Sequence, residues 1–343
     1  MKKEIWGFYP PPIGGISIYC KRLIEKLYAK DETVIMRNFI SSKSGCVYVV
    51  DVKNKLFEFL KLPFASKKLI HAQFTNFFLL MLLYLFGGRH NIVLTLHNRR
   101  LILLNGWKKM IVNRLLRRVK FLIYNDPTYT SLLREKFDVD EKKIVILPTY
   151  MPPSKEEFKG LDCDIATFLS EHKYTISANA SKVICNVYGD VYGIDQMIYL
   201  MDRLVNKKGM DVGLVFCVSE IFSQEYYNQC REKIKELGLE RNFLFVIQSS
   251  VNGFEVWAAT DLFLRPTMTD MEGVSVKEAL QFGTPVVASD VCKRPQEAVL
   301  YKTGNAEDLF EKVYPLLQQK PRVIYTPEIC VEEEILRIYS LIG

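Results

Sequence analysis

Short β-branched or aromatic runs along the chain alternate with longer segments whose apolar positions recur at helical spacing. In the first half the strand-like runs are KEIWGFY, TVIMRNFI, KLIHAQF, NIVLTLHN, KFLIYN and KIVILPTY, with helices predicted over 16–30, 76–86, 107–119 and 129–137. The second half repeats the order with YTISAN, VICNVY, VGLVFCVS, NFLFVIQ, LFLRPT and PVVAS. Its helices are predicted over 194–206, 223–237, 252–259, around Glu278, and over 307–317. Strand runs that are apolar on both faces, separated by helices, predict an α/β protein built on doubly wound parallel sheets. A polar, proline-containing stretch, MPPSKEEFKGLDCD, interrupts the alternation and reads as a linker. The division expected is therefore 1–155 and 156–330, followed by a final helix in 331–343 that could pack back across the junction.

A length of 343 residues fits two such domains better than one core. Eight scattered cysteines form no C-x-x-C pair and sit mostly in apolar runs, which points to buried free thiols in a reducing cytosol. The amino terminus reaches prolines before an apolar stretch develops, so it does not read as a signal peptide. The longest apolar run, FFLLMLLYLF, has ten residues, about half of what a spanning helix needs. It reads as a core helix, with a segment lying in a membrane interface as the alternative.

Charge is divided unevenly. Residues 1–160 hold 28 Lys/Arg against 13 Asp/Glu, while residues 161–343 hold 18 against 26. The basic half is expected to face an anionic partner. No nucleic-acid-binding motif accompanies it, so a membrane or lipid phosphate is preferred to nucleic acid. The segment 107–120 alternates basic and apolar residues, with Met110, Ile111, Leu115 and Val119 near one side. It suits an anionic membrane surface or, equally, a core helix with a solvated basic face.

Three places carry candidate chemistry. Asp270 and Glu278 stand eight positions apart where a loop turns into a helix, between two buried-strand runs. The ordinary electrostatic reading is a solvated acid and a Glu near a helix start. At the crevice of an open α/β sheet, however, acids serve as hydroxyl acceptors and a helix amino terminus as an anion site. Gly14-Gly15 occupies the first βα loop and lets backbone N–H groups approach a ligand, or simply makes a tight turn. It lacks the G-x-G-x-x-G dinucleotide pattern. His97 ends an apolar strand and is either functional or a structural hydrogen-bonding residue. The pairs Asp138/Asp140 and Asp162/Asp164 follow no convincing apolar strand, and no His/Cys cluster has metal-ligand spacing.

Taken together, Gly14-Gly15 with Ser17, Tyr19, Arg22 and Leu23, the LTLHN strand end, and RPTMTDMEGVSVKEALQFGTPVVASD resemble a family 4 retaining glycosyltransferase. The family's E-x7-E motif is filled by Asp270 and Glu278, with Asp in place of the usual first Glu. The resemblance implies the GT-B fold, two facing Rossmann-like domains with a cleft between them, the amino-terminal one on the acceptor side and the second holding the donor. Glu278 would accept from the ribose hydroxyls of a nucleotide-sugar, and Asp270 would hold hydroxyls of the donor sugar. Backbone N–H groups at Gly273, Val274, Ser275, Gly14 and Gly15 would hold the diphosphate, and His97 would contact the sugar near the reacting carbon. No metal or cofactor beyond the donor is implied.

The activity implied is transfer, with retention, from a nucleoside-diphosphate-sugar to a lipid-diphosphate-linked glycan in surface polysaccharide assembly. The setting would be cytoplasmic, peripheral on the inner face of the membrane. One departure stands out. The Arg and Lys that the family uses to neutralise the leaving diphosphate are replaced by Val187 and Tyr192. Substitute cations are Lys277, Arg265, Lys293, Arg294 and Arg99 or Arg100, with Lys277 and Arg265 favoured. The missing pair keeps open a non-catalytic sugar-nucleotide-binding partner of an active transferase. A sugar-nucleotide epimerase is a weaker third reading.

Overall fold

A computed structural model describes the chain apart from residues 12–13, 41–42, 126, 188, 248–251, 271–272 and 327–328. Of the Asp270 to Glu278 run, Met271 and Glu272 thus lie outside the described residues, as do Pro12 and Ile13 of the first loop. The chain divides into two compact units, one formed by Met1–Met151 with Pro327–Gly343 and the other by Pro152–Thr326.

The first unit holds strands β1 (Lys3–Gly7), β2 (Val34–Asn38), β3 (Val49–Asp51), β4 (Leu69–Ala72), β5 (Asn91–Thr95), β6 (Phe121–Tyr124) and β7 (Ile144–Ile146), all parallel, in the order β3-β2-β1-β4-β5-β6-β7. Helices α1 (Gly15–Lys30), α2 (Lys55–Leu60), α3 (Phe77–Phe86), α4 (Gly106–Arg118) and α5 (Pro127–Lys136) connect them. Strands β4 and β5 are buried at every residue, as helices on both faces require. The order reverses between β1 and β4, so the loops leaving their carboxyl ends diverge and open a crevice.

The second unit runs α6 (Cys163–Ser170), β8 (Tyr174–Val183), β9 (Cys185–Asn186), β10 (Gly189–Asp190), α7 (Ile194–Met201), β11 (Val212–Ile221), α8 (Gln224–Glu236), β12 (Phe243–Ile247), α9 (Gly253–Ala259), β13 (Leu262–Arg265), α10 (Val274–Gln281), β14 (Val286–Ser289), β15 (Val299–Tyr301) and α11 (Ala306–Gln319). Its parallel sheet has the order β12-β11-β8-β13-β14-β15, reversing between β8 and β13. The last helix, α12 (Val331–Ile342), belongs to the first unit. It places Ile335, Ile338 and Tyr339 in the core formed by α1 and β1.

The pattern-based expectation differs from the structure in several places. VICNVY, expected as a full strand, is instead the end of β8 followed by a two-residue antiparallel hairpin of β9 and β10. The helix expected over 194–206 stops at Met201 and continues as one wide π turn over Asp202–Lys207. The short edge strands β3 and β15 and the helices α2 and α6 are too short to show a period. Asp162 caps α6 by accepting from the Asp164 N–H, so this D-x-D pair serves a helix start. Of the cysteines expected to be buried, Cys20, Cys217 and Cys230 are, whereas Cys163 and Cys330 are exposed. In α4 the inward positions are Val112, Leu115 and Leu116, and Met110 lies outside with Trp107. Of the expected stripe, Leu115 and Val119 are buried and Ile111 is half-buried, whereas Met110 is not part of it. Among the described residues no helix is long and apolar enough to cross a membrane.

Candidate active site

In the second unit the chain leaves β13 at Arg265, beside Asn179 of β8, the strand pair at which the order reverses. Arg265 bridges the two strands: its Nη1 donates to the carbonyl oxygen of Asn179 at 3.1 Å and to Asn179 Oδ1 at 3.0 Å. Its Nε and Nη2 donate to Asp270 Oδ2 at 2.9 Å and Oδ1 at 3.3 Å, a forked pair that fixes the carboxylate over the strand end. Arg294, beyond β14, donates from Nη1 to Asp270 Oδ2 at 2.9 Å, and its side chain is fully enclosed. Burial opposes ionisation of Asp270, but the charges of Arg265 and Arg294 outweigh it and hold the carboxyl at about 2. Two guanidinium groups on one carboxylate leave this cluster with a net positive charge. Oδ2 receives both arginines, and Oδ1 receives Arg265 Nη2.

Gly273 begins α10 with φ +66°, a left-handed conformation suited to glycine. A Cβ there would lie 2.5 Å from Arg294 Nη1 and 3.1 Å from Asp270 Oδ2, so the glycine is also what lets the cluster close on the helix start. The N–H groups of a first helical turn, here those of Val274 and Ser275, have no partner within the helix. One turn later Glu278 is buried and accepts from the Trp257 indole N–H at 3.2 Å, which orients its carboxylate. Lys277, half-buried, stands beside it in the first turn of α10.

At the positions where the resemblance leads one to expect the Arg and Lys, Val187 is 92% exposed. Tyr192 donates to or accepts from Ser181 Oγ at 2.7 Å and offers its ring to the Arg265 guanidinium, 5.6 Å from the ring centre. The second position therefore supports a cation that comes from another strand.

In the first unit, Gly14 and Gly15 are exposed at the start of α1, directly after β1. The Gly14 N–H donates to Ser17 Oγ at 3.0 Å, closing the helix start on itself, and a Cβ on Gly15 would meet nothing within 4 Å. His97, two residues past β5, packs against the edge of Tyr19 from α1 with ring centres 5.0 Å apart. Its Nε2 bonds Gln73 Oε1 at 2.8 Å, and burial lowers its pKa to about 4, so the ring is neutral. The sites thus group in two sets: Gly14, Gly15 and His97 in the first unit, where His97 after β5 packs on Tyr19 of α1, and Asp270, Arg265, Gly273 and Glu278 in the second. Sequence reasoning missed the bond from Arg294 to Asp270, the indole on Glu278, and Gln73, because each depends on tertiary neighbours without a local pattern.

Residues 181–322 match the family model described as Glycosyl transferases group 1. The whole chain superposes on Anabaena HepE in complex with UDP, with a TM-score of 0.70, 15% identity, and 100% of this chain and 98% of that one covered. A glycosyltransferase from Rickettsia africae gives 0.62 at 15% identity, covering 92% and 88%. Sucrose-phosphate synthase from Thermosynechococcus elongatus gives 0.62 at 15%, covering 93% and 90%. No curated protein sequence matches the chain. The two parallel-sheet α/β domains are those of the GT-B glycosyltransferase fold.

Proposed function

We propose that the protein transfers a sugar from a nucleoside-diphosphate-sugar, with retention of configuration and without a metal, onto a glycan acceptor carried on a lipid diphosphate. The observation that carries this reading is the second-unit cluster, in which Asp270 and Glu278 flank the left-handed Gly273 at the head of α10. A sugar nucleotide brings hydroxyls that need acceptors and a diphosphate that needs donors and positive charge. Glu278 and Asp270 offer the first; the Val274 and Ser275 N–H groups with Arg265 and Lys277 offer the second, and the enclosed Arg294 adds positive charge from behind Asp270. In the first unit, Gly14 and Gly15 are assigned to binding phosphate and His97 to contacting sugar. The family match over 181–322 supports transferase chemistry, and the UDP in the Anabaena structure favours a uridine nucleotide here.

The test is turnover of labelled nucleotide-sugars with a membrane lipid extract, beside a thermal-shift screen of common donors, since a ligand that binds only the folded state raises its apparent stability. Glu278→Gln retains an acceptor for the Trp257 indole but loses the charge, and should reduce kcat/KM by roughly 100-fold. Full activity in that variant would reject the assignment.

The exposed Val187 favours one second reading, a sugar-nucleotide-binding partner without catalysis. It predicts tight calorimetric binding of a nucleoside diphosphate with neither hydrolysis nor transfer under any acceptor condition.

A further inference from the structure

Behind His97 a line of buried polar groups runs through the core of the first unit to the carboxyl-terminal helix. Gln73, fully buried, bonds His97 Nε2 through its Oε1 at 2.8 Å and His71 Nε2 through its Nε2 at 3.0 Å. His71, also fully buried, meets Thr95 Oγ1 at 2.7 Å through Nε2 and the Tyr339 hydroxyl at 2.7 Å through Nδ1. Tyr339 lies on α12, more than two hundred residues away in sequence, and its ring stands edge-on to His71. Such polar groups are costly to bury unless bonded.

A primary amide has one donating and one accepting end. The two imidazole nitrogens that face Gln73 must therefore be opposite in kind, one carrying hydrogen and the other bare. With Oε1 on His97, that ring is protonated at Nε2 and bare at Nδ1. His71 is then bare at Nε2, where Thr95 also donates, and gives its Nδ1–H to Tyr339. Neither ring can escape this constraint by becoming doubly protonated near neutral pH. Burial, with a contribution from His97, lowers His71 to about 3, and burial lowers His97 to about 4. From the neighbouring elements Tyr19 on α1 stands edge-on to His97, and Tyr339 on α12 is a neutral phenol, since burial raises it well above its ordinary value.

We infer that Tyr339, His71 and Gln73 are positioning residues that act through one another to hold His97 in its Nε2–H tautomer and in one ring orientation. The consequence for sugar transfer rests on the function proposed above; the tautomer itself does not. A tautomer held from behind presents a fixed pattern to a ligand, as the partner of a metal-bound or catalytic histidine does.

The experiment is NMR of the full-length protein with heavy-nitrogen-labelled histidine, which distinguishes the two neutral tautomers of the four histidines. In the wild type, His97 should show the Nε2–H form and His71 the Nδ1–H form. Tyr339→Phe keeps the ring and removes the acceptor, so both rings should move to mixed tautomers. If that variant fails to fold, Gln73→Glu, which only accepts, should turn His71 to its Nε2–H form. An unchanged His71 and His97 in whichever variant folds, or a wild-type His97 bare at Nε2, overturns the inference. If the donor reading also holds, Tyr339→Phe lowers kcat by about tenfold or more with donor KM unchanged. Loss of transfer in the wild type would count against that reading and leave the tautomer result intact.

Discussion

Arg294 Nη1 and Asp270 Oδ2 lie 2.9 Å apart, with the guanidinium side chain wholly enclosed and the carboxylate shared with Arg265. This pair joins the end of β14 to the loop that leads into α10. Its members are not equivalent. Removing Asp270 strands two guanidinium groups, whereas removing Arg294 leaves Asp270 its fork from Arg265. Asp270→Ala should therefore cost about 3 kcal/mol of stability and Arg294→Met less, about 1 to 2 kcal/mol. Urea unfolding of the two variants checks the order; equal losses would mean that Arg265 does not hold the carboxylate alone.

Acid should destabilise the protein in two windows. His71 and His97 take up a proton more readily in the unfolded chain, near pH 6.5, than in the fold at about 3 and about 4. Their contribution is complete above about pH 6.5 and is lost as the pH falls towards those values. Asp270 is likewise held low, at about 2, so its contribution is complete above about pH 4 and is lost below it. Unfolding free energy against pH should thus fall in His97→Asn by about one proton less between about pH 6 and 4. Asp270→Asn should differ in slope only below about pH 4. Indistinguishable slopes in either window would remove that group from the profile.

These assignments could be read from the chain to very different depths. The alternation of buried strands and helices was sufficient for a doubly wound sheet, because parallel strands covered on both faces are apolar without interruption, as NIVLT is. The eight-residue spacing of Asp270 and Glu278 was visible because strand, glycine and helix follow one another locally. The line from His97 to Tyr339 was not visible. It joins residues from two strand ends and a distant helix, none of which has a periodic signature. The cation question shows both limits: Arg265 was a candidate from its place at a strand end, but its support by Tyr192 and Asn179 comes from the neighbouring strand and hairpin. Lys277, favoured from its proximity to Glu278, has two arginines as rivals for the same task.

Gly273 tests whether the cluster needs its tight closure. Alanine would have to adopt φ +66° and place a methyl 2.5 Å from Arg294 Nη1. The left-handed conformation costs about 1 to 2 kcal/mol for a residue with a Cβ, and the contact adds to it. Gly273→Ala should lower Tm by several degrees, on the order of what that loss implies, and weaken donor binding by calorimetry. A variant with unchanged Tm would show that the Arg294 side chain yields freely there.

The basic face of the first unit offers a separate prediction. Trp107 and Met110 on α4 are 56% and 48% exposed, and Phe78 and Leu85 on the neighbouring α3 are 50% and 57% exposed. The two helices meet where Trp107 stands edge-on to Phe77, 5.2 Å between ring centres, with Lys108 over both rings. Arg114, Arg117 and Arg118 line the exposed side of α4, although Arg117 pairs with Asp138. Apolar side chains flanked by cations suit the headgroup region of an anionic bilayer, where each Lys or Arg near the surface contributes about 1 kcal/mol. The full-length protein should float with vesicles containing acidic lipid, and not with zwitterionic ones. Raising salt should release it, because the attraction is screened within about 10 Å at moderate ionic strength. Trp107→Ala together with Met110→Ser should weaken flotation even at low salt, since the apolar contribution is not screened. Lys108→Glu with Lys109→Glu should abolish it. Binding that ignores both lipid charge and these substitutions would exclude this face as the contact.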